Sequence, residues 1–232
     1  MFRFLDNLYK SISCKKSYYS AGGIDALVLN IFKDLKKGIY LDIGCNHPIK
    51  ANNTYLLYKK GWSGINIDLD QKSIDSFNYA RPNDYNIKMA VSDKMSIKDF
   101  YFYHDKSSIN TLSKETANYQ NAKVAKILKI KAQPLNMLLD ESPFKDSKID
   151  FLSVDVEGSE FEILNGFNFL KFSPKVIVVE YLDLNLPKLE LKNINIDNIQ
   201  RSKIFNLIKS KNYSLVNILH SDLVFINNEF RD

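Results

Sequence analysis

The residues with the most chemistry to offer lie where short apolar runs stop. Asp155 and Glu157 stand two apart at the end of one such run, and Glu180 ends the next. Residues at that spacing share a face of an extended chain, so both carboxylates can reach one pocket. Three carboxylates around one point repel each other. They raise the pKa of one member until it works as a base near neutral pH, or they hold a divalent cation. A third role is to cap the helix-like stretch after Gly158, whose N-terminus favours negative charge. We read them as base and hydroxyl-binding groups and assign no metal. Glu160 and Glu162 are read as serving that helix and its solvent face. His104, at the end of an aromatic run, is a further candidate base or sugar contact. His47 lies in a loop within reach of the same region, and His220 falls in a hairpin turn at the surface. No H-x-x-x-H or H-E-x-x-H pattern occurs, which argues against a zinc site.

A second group of candidates suits a nucleoside. Asp42-Ile-Gly44-Cys45-Asn46 has one glycine where a dinucleotide fingerprint has three, and Pro48 removes a backbone donor. A pyrophosphate cradle is therefore poorly supported, and no G-x-x-x-x-G-K-[ST] run exists. Gly44 still lets backbone approach a ligand closely, and Asp42 can accept from an amine. One apolar run later, Asp68 stands where an acidic residue accepts both hydroxyls of a ribose. A single-glycine loop followed by such a carboxylate fits a nucleoside without phosphates, of which S-adenosylmethionine (SAM) is the common example.

Positioning these groups requires a sheet. Apolar runs alternate with helix-like stretches, the pattern of βαβ units around a buried parallel sheet. Strands are predicted at 39–43, 64–69, 87–92, 97–104, 126–132, 149–156, 175–181, 213–219 and 223–226. Of these, 126–132 reads as an edge strand and 175–181, the most apolar, as central. Helices are predicted at 24–37, 51–60, 71–79, 134–141, 158–170 and 199–211. Residues 105–123 are polar and without period, a candidate lid or substrate loop. In open parallel sheets ligands sit beyond the carboxyl ends of the strands, which is where the candidates above fall.

Composition narrows the classes. The chain has 232 residues, 45% hydrophobic and 25% charged, enough for one domain with a full core. Net charge is +5 and the basic clusters are short, so no nucleic-acid face is expected. Two cysteines, Cys14 and Cys45, exclude a disulfide framework and suggest a reducing compartment. Residues 1–6 lack the apolar core of a signal peptide, and no window is apolar enough to span a membrane. A soluble, cytoplasmic protein is expected.

Three segments carry a family resemblance. The segment Ile149-Asp-Phe-Leu-Ser-Val-Asp-Val-Glu-Gly-Ser-Glu-Phe-Glu-Ile-Leu-Asn-Gly-Phe167 closely resembles the signature of the FkbM family of SAM-dependent methyltransferases. So do Tyr40-Leu-Asp-Ile-Gly-Cys-Asn-His-Pro48 and Asn53-Thr-Tyr-Leu-Leu-Tyr-Lys-Lys-Gly-Trp-Ser-Gly-Ile-Asn-Ile-Asp68. With a preceding helix, the resemblance runs from residue 17 to 181. It implies an α/β class I methyltransferase fold: a Rossmann-like three-layer sandwich with a seven-stranded, mostly parallel sheet whose last strand is antiparallel. One domain is expected over 1–232, with 1–38 as a helical lead-in.

By matching motif, the resemblance places Asp42, Gly44, Cys45 and Asn46 at the methionine end of SAM. It places Asp68 and Leu69 at the ribose, Ala90, Val91 and Ser92 near the adenine, and Asp155 beside the sulfonium and the substrate. The family often has an acidic residue where this chain has Ile24, beside Asp25, so no SAM contact is assigned to Asp25. The implied activity is O-methylation of a hydroxyl, of a sugar in a surface polysaccharide or glycoconjugate. A small natural product or lipid-linked precursor is the alternative acceptor, and a non-catalytic SAM- or nucleotide-binding module the alternative class. Homo-oligomerisation through 97–104 or 183–198 stays open.

Overall fold

The fold was obtained as a computed structural model, which describes residues 17–186 and 193–231. The expectations that rest on Cys14, on the basic Cys14-Lys-Lys16 cluster, on residues 1–16 and on part of the 183–198 loop lie outside them. Strands β1 (Ile39–Ile43), β2 (Ser63–Asp68) and β3 (Tyr85–Lys88) come first, then β4 (Ala90–Ser92), β5 (Ser96–Phe102) and β6 (Lys126–Pro134). Strands β7 (Phe151–Val154) and β8 (Val176–Glu180) follow, and β9 (Tyr213–Leu219) and β10 (Asp222–Asn227) close the chain. The main sheet has the order β3-β2-β1-β7-β8-β10-β9. β3, β2, β1, β7 and β8 run parallel, while β10 is antiparallel to both of its neighbours. This is the seven-stranded α/β arrangement the family resemblance implies.

Alternation along each strand builds the two sides. Leu41, Ile43, Leu152, Val154, Ile177, Val179, Leu223 and Phe225 point to one face. There they meet Leu138 and Leu139 of helix Leu135–Asp140, Ile163 and Leu164 of helix Glu160–Gly166, and Ile208 of helix Lys203–Ser210. Tyr40, Phe151, Val176, Val178 and Val224 point to the other face, against Ile24 and Val28 of helix Ile24–Ile31, Phe32, Leu57 and Trp62. Gly38 and Gly64 make room for this layer. A methyl group on Gly38 would lie 2.5 Å from the Trp62 ring, and one on Gly64 would lie 2.2 Å from the Tyr40 carbonyl. No helix among the described residues is long and apolar enough to cross a membrane.

Several elements differ from the sequence reading. The run 87–92 is two strands, because β2 ends at Asp68 and offers no further partner after Met89 binds its carbonyl. Ala90–Ser92 then pairs with β6 in a separate three-stranded sheet, β4-β6-β5. β6 is thus the middle of that sheet and not an edge. In the main sheet the middle place belongs to β7, with the wholly buried β8 beside it. The stretch 158–170 is two helices because Asn168 caps a second one, accepting from the Lys171 amide at 3.0 Å. Ser202 breaks 199–211 the same way, accepting from the Phe205 amide. Both are capping residues placed inside a helical pattern. The 105–123 stretch contains helix Lys114–Tyr119.

Arg81 joins the layers at one end. It is fully buried and donates to the Pro48 carbonyl, to Thr54 Oγ1 at 2.8 Å and to Asn52 Oδ1 at 2.7 Å. Its guanidinium lies 4.9 Å from the Phe77 ring centre and near the rings of Tyr40, Tyr55 and Tyr58. Removing one partner of a buried charged network costs about 3–5 kcal/mol. Arg81→Leu is therefore expected to lower the melting temperature by roughly 10 °C in a thermal melt followed by circular dichroism. A loss under about 2 °C would contradict this role.

Candidate active site

The order of strands reverses between β1 and β7, and the crevice beyond their carboxyl ends is the place where such sheets bind ligands. A cleft, open at its mouth, lies there. Its apolar lining includes Ile43, Ile67, Leu69, Met89, Val91, Leu112 and Ile163. Its polar lining includes Asn46, Asp68, Asp70, Ser107, Ser108, Asn110, Asp155 and Glu157. The mixed lining, apolar with a few convergent polar groups, is that of a small-molecule site.

The backbone at the cleft is tightly constrained. Gly44 has φ +78°, and its Cα lies so close to the next strand end that a methyl group there would sit 1.6 Å from the Asp155 carbonyl oxygen. Only glycine permits that approach. Asn46 also has a left-handed backbone and donates its amide to Asp68 Oδ2 at 2.8 Å. Asp68 Oδ1 accepts from the Asp70 amide at 2.8 Å, so the carboxylate is fixed by its own loop while each oxygen keeps a lone pair. Burial pushes Asp68 up to about 6, against the pull of those two amides.

At the β7 end, Glu157 has φ +58° and Gly158 φ +106°. Thr111 Oγ1 donates to the Glu157 carbonyl at 2.6 Å, and Gln120 Nε2 to Glu157 Oε2 at 3.3 Å. Glu160 closes the turn from below, its Oε1 accepting from the amides of Val156 and Gly158. Glu162 instead reaches the small sheet, accepting from Ser92 Oγ at 2.7 Å and Lys98 Nζ at 2.6 Å. The carboxylates of Asp155, Glu157 and Glu180 each offer an oxygen to one cluster. Desolvation, and then their mutual repulsion, raises the pKa of Glu157 and Glu180. Asp155 is raised by desolvation and by the charge of Asp222.

The structure sorts the residues named from the sequence. Gly44, Asn46, Asp68, Leu69, Val91, Asp155 and Glu157 line the cleft. Asp42 lies behind it, buried, accepting from Asn52 Nδ2 and Thr54 Oγ1 beside the Arg81 charge. Cys45 turns away to pack on Ile74 and Phe77. Ala90 and Ser92 are buried outside the lining. Glu180 is buried and meets Asp155 from the side. His104 is exposed, with Nδ1 against the Asp105 carbonyl. His47 accepts from the Ile49 and Lys50 amides, and burial, then Lys106, Lys50 and Arg81, lowers its pKa. Asp25 is buried in its own cap, held by Ser20 Oγ and the Tyr19 amide. The loop carrying Ser107, Ser108 and Asn110 is fixed over the cleft by the Lys106 amide on Asp70, by Lys72 on Asp105 and by the Thr111 contact.

The sequence reading missed Asp222, which faces Glu180 in the β8–β10 register. It falls just outside the predicted strand 223–226, and no local signal marks it. Burial raises it from the ordinary 3.8 to about 7. A carboxyl held protonated by the fold stabilises it fully below its unfolded pKa and loses that contribution as pH rises through the folded one. Without divalent ions, the melting temperature is therefore expected to fall as pH rises from about 4 to about 7. Asp222→Asn should flatten that fall, and an unchanged slope would remove Asp222 as a cause.

A family model of the methyltransferase FkbM domain matches residues 42–215. Among solved structures, a TehB-like SAM-dependent methyltransferase from Corynebacterium glutamicum is similar with a TM-score of 0.43 and 10% identity. That match covers 97% of each chain. A search of curated proteins finds no match. The family match spans strands β2 to β8, the turns at Gly44 and Glu157–Gly158, and the cluster of Asp155, Glu157 and Glu180, and the chain belongs to the FkbM methyltransferase family.

Proposed function

We propose that the protein transfers a methyl group from SAM to a hydroxyl oxygen, of a sugar in a surface polysaccharide or glycoconjugate. The observation that carries this reading is that Asp68, fixed by two backbone amides, shares one cleft with Asp155 and Glu157. The cleft fits the donor. Its apolar lining suits a base, Asp68 has free lone pairs for a diol, and the carboxylates suit a cationic sulfur and amine. When bound, SAM supplies a methyl group activated on positively charged sulfur.

The protein's own work is alignment and proton removal. Gly44 and the turn at Glu157–Gly158 set the two strand ends against each other, which fixes where an acceptor oxygen can stand. Asp155 accepts a hydrogen bond from the acceptor hydroxyl and takes its proton as the oxygen attacks. Its raised pKa makes it a stronger base near neutral pH than an ordinary carboxylate. Ser107, Ser108 and Asn110 offer hydrogen bonds to further hydroxyls of the acceptor, which favours a sugar. A cytoplasmic setting accords with Cys45, a buried free thiol.

SAM and S-adenosylhomocysteine near 100 times their dissociation constants add about 2.7 kcal/mol, expected to raise the melting temperature by roughly 5–10 °C. Asp68→Ala should shrink that shift. No shift with either compound, or an equal one with NAD, would overturn the donor assignment. With nucleotide sugars and intact glycans as acceptors and SAM saturating, Asp155→Asn should lower kcat about 10²–10⁴-fold. Full turnover in that variant would remove Asp155 from the chemistry.

A further inference from the structure

The carboxylate cluster carries more negative charge than its surroundings answer. One oxygen from each of Asp155, Glu157 and Glu180 lies within 4.8 Å of the other two. Glu180 is only 8% exposed; its Oε2 accepts from no N–H or hydroxyl donor, and its one side-chain partner is the neighbouring carboxyl of Asp155, with which it can share a proton. Such an atom is costly to bury unless something fills the space it faces. The groups around the cluster deepen the deficit, since Asp222 acts on Asp155 and Glu160 acts on Glu157 and Glu180. Gln120 contributes one neutral donor, to Glu157. Among the described residues no lysine or arginine forms an ion pair with any of the three.

A proton or a cation can resolve this. One proton bridges two carboxylates and leaves the third charge uncompensated. A divalent cation answers all three at once. The donors are all oxygen, which selects a hard ion. Octahedral ligands at about 2.1 Å stand roughly 3 Å apart when adjacent and about 4.2 Å apart when opposite, inside the observed span.

We propose that Asp155, Glu157 and Glu180 hold a divalent cation, Mg²⁺ or Mn²⁺, at the edge of the cleft, with open positions for hydroxyl oxygens of the acceptor. This revises the metal-free role read from the sequence. The binding of the ion stands by itself, and only the use of its open positions rests on the methyl-transfer reading. Asp155 and Glu157 line the cleft, so an ion between them stands at its wall. A pair of neighbouring hydroxyls, as on a sugar ring, would chelate it.

The test uses the full chain freed of metal by a chelator, without SAM or acceptor. Calorimetric titration with MgCl₂ and MnCl₂ at neutral pH is expected to show one ion bound per chain, and a thermal melt to show a rise. Glu180→Gln and Glu157→Gln should each weaken binding by about tenfold or more. Both should melt no lower than the metal-free wild type, since each removes a repelling charge. Absence of saturable binding up to about 5 mM overturns the site, as does binding unchanged in both variants. A metal shift without a SAM shift sinks the methyl-transfer reading and leaves the site standing. A SAM shift without a metal shift does the reverse.

Discussion

Five adjacent strands, β2, β1, β7, β8 and β10, bring a carboxylate to the same edge of the central sheet: Asp68, Asp42, Asp155, Glu180 and Asp222. Like charges at that spacing tolerate burial only if each is answered. Asp42 is answered by Arg81, the only buried cation among the described residues, and by Thr54 and Asn52. Asp68 is answered by two amides, that of Asp70 in its own loop and that of Asn46 in the loop after β1. Burial raises the pKa of all five, and Asp155, Glu180 and Asp222 have fewer donors to offset it. The sheet thus concentrates unmet negative charge at one end of the cleft. A cationic sulfur and a divalent ion are both ligands that this charge attracts.

Left-handed turns make the arrangement possible. Gly44, Asn46, Glu157 and Gly158 all carry positive φ, two on each side of the strand-order reversal. Gly44 lets β1 and β7 end in contact, and the turn at Glu157–Gly158 redirects the chain above it. For Glu157 that conformation costs about 1–3 kcal/mol, and such strain persists where neighbours over-determine it. Here the Thr111 hydroxyl, the Gln120 amide and the Glu160 carboxylate supply that constraint from three separate segments.

Much of this was legible in the residues. The strand ends at Asp42, Asp68, Asp155 and Glu180 follow from short apolar runs that stop at an acid, and the single-glycine turn from Gly44 alone. Residues 105–123 read as a candidate lid or substrate loop, and Ser107, Ser108, Asn110 and Leu112 of that stretch line the cleft. Boundaries were read less well where a capping residue hid inside a helical pattern, as at Asn168 and Ser202. The small sheet β4-β6-β5 was not legible, because its pairings join segments far apart in the chain. Arg81 and Asp222 were not singled out, because neither has a neighbour in sequence that announces burial.

The sequence by itself determined the class of fold, the family and the set of acids at the strand ends, because apolar periodicity and turn chemistry are local properties. The tertiary structure decided which acids meet. It put Asp42 behind the cleft with Arg81 and turned Cys45 into the core. It set Glu180 against Asp155 and Glu157, and it added Asp222 from the last, antiparallel strand. Those outcomes depend on strand order and on the charge each buried group finds beside it. Both arise only when distant segments pack, and neither is written in any stretch of neighbouring residues.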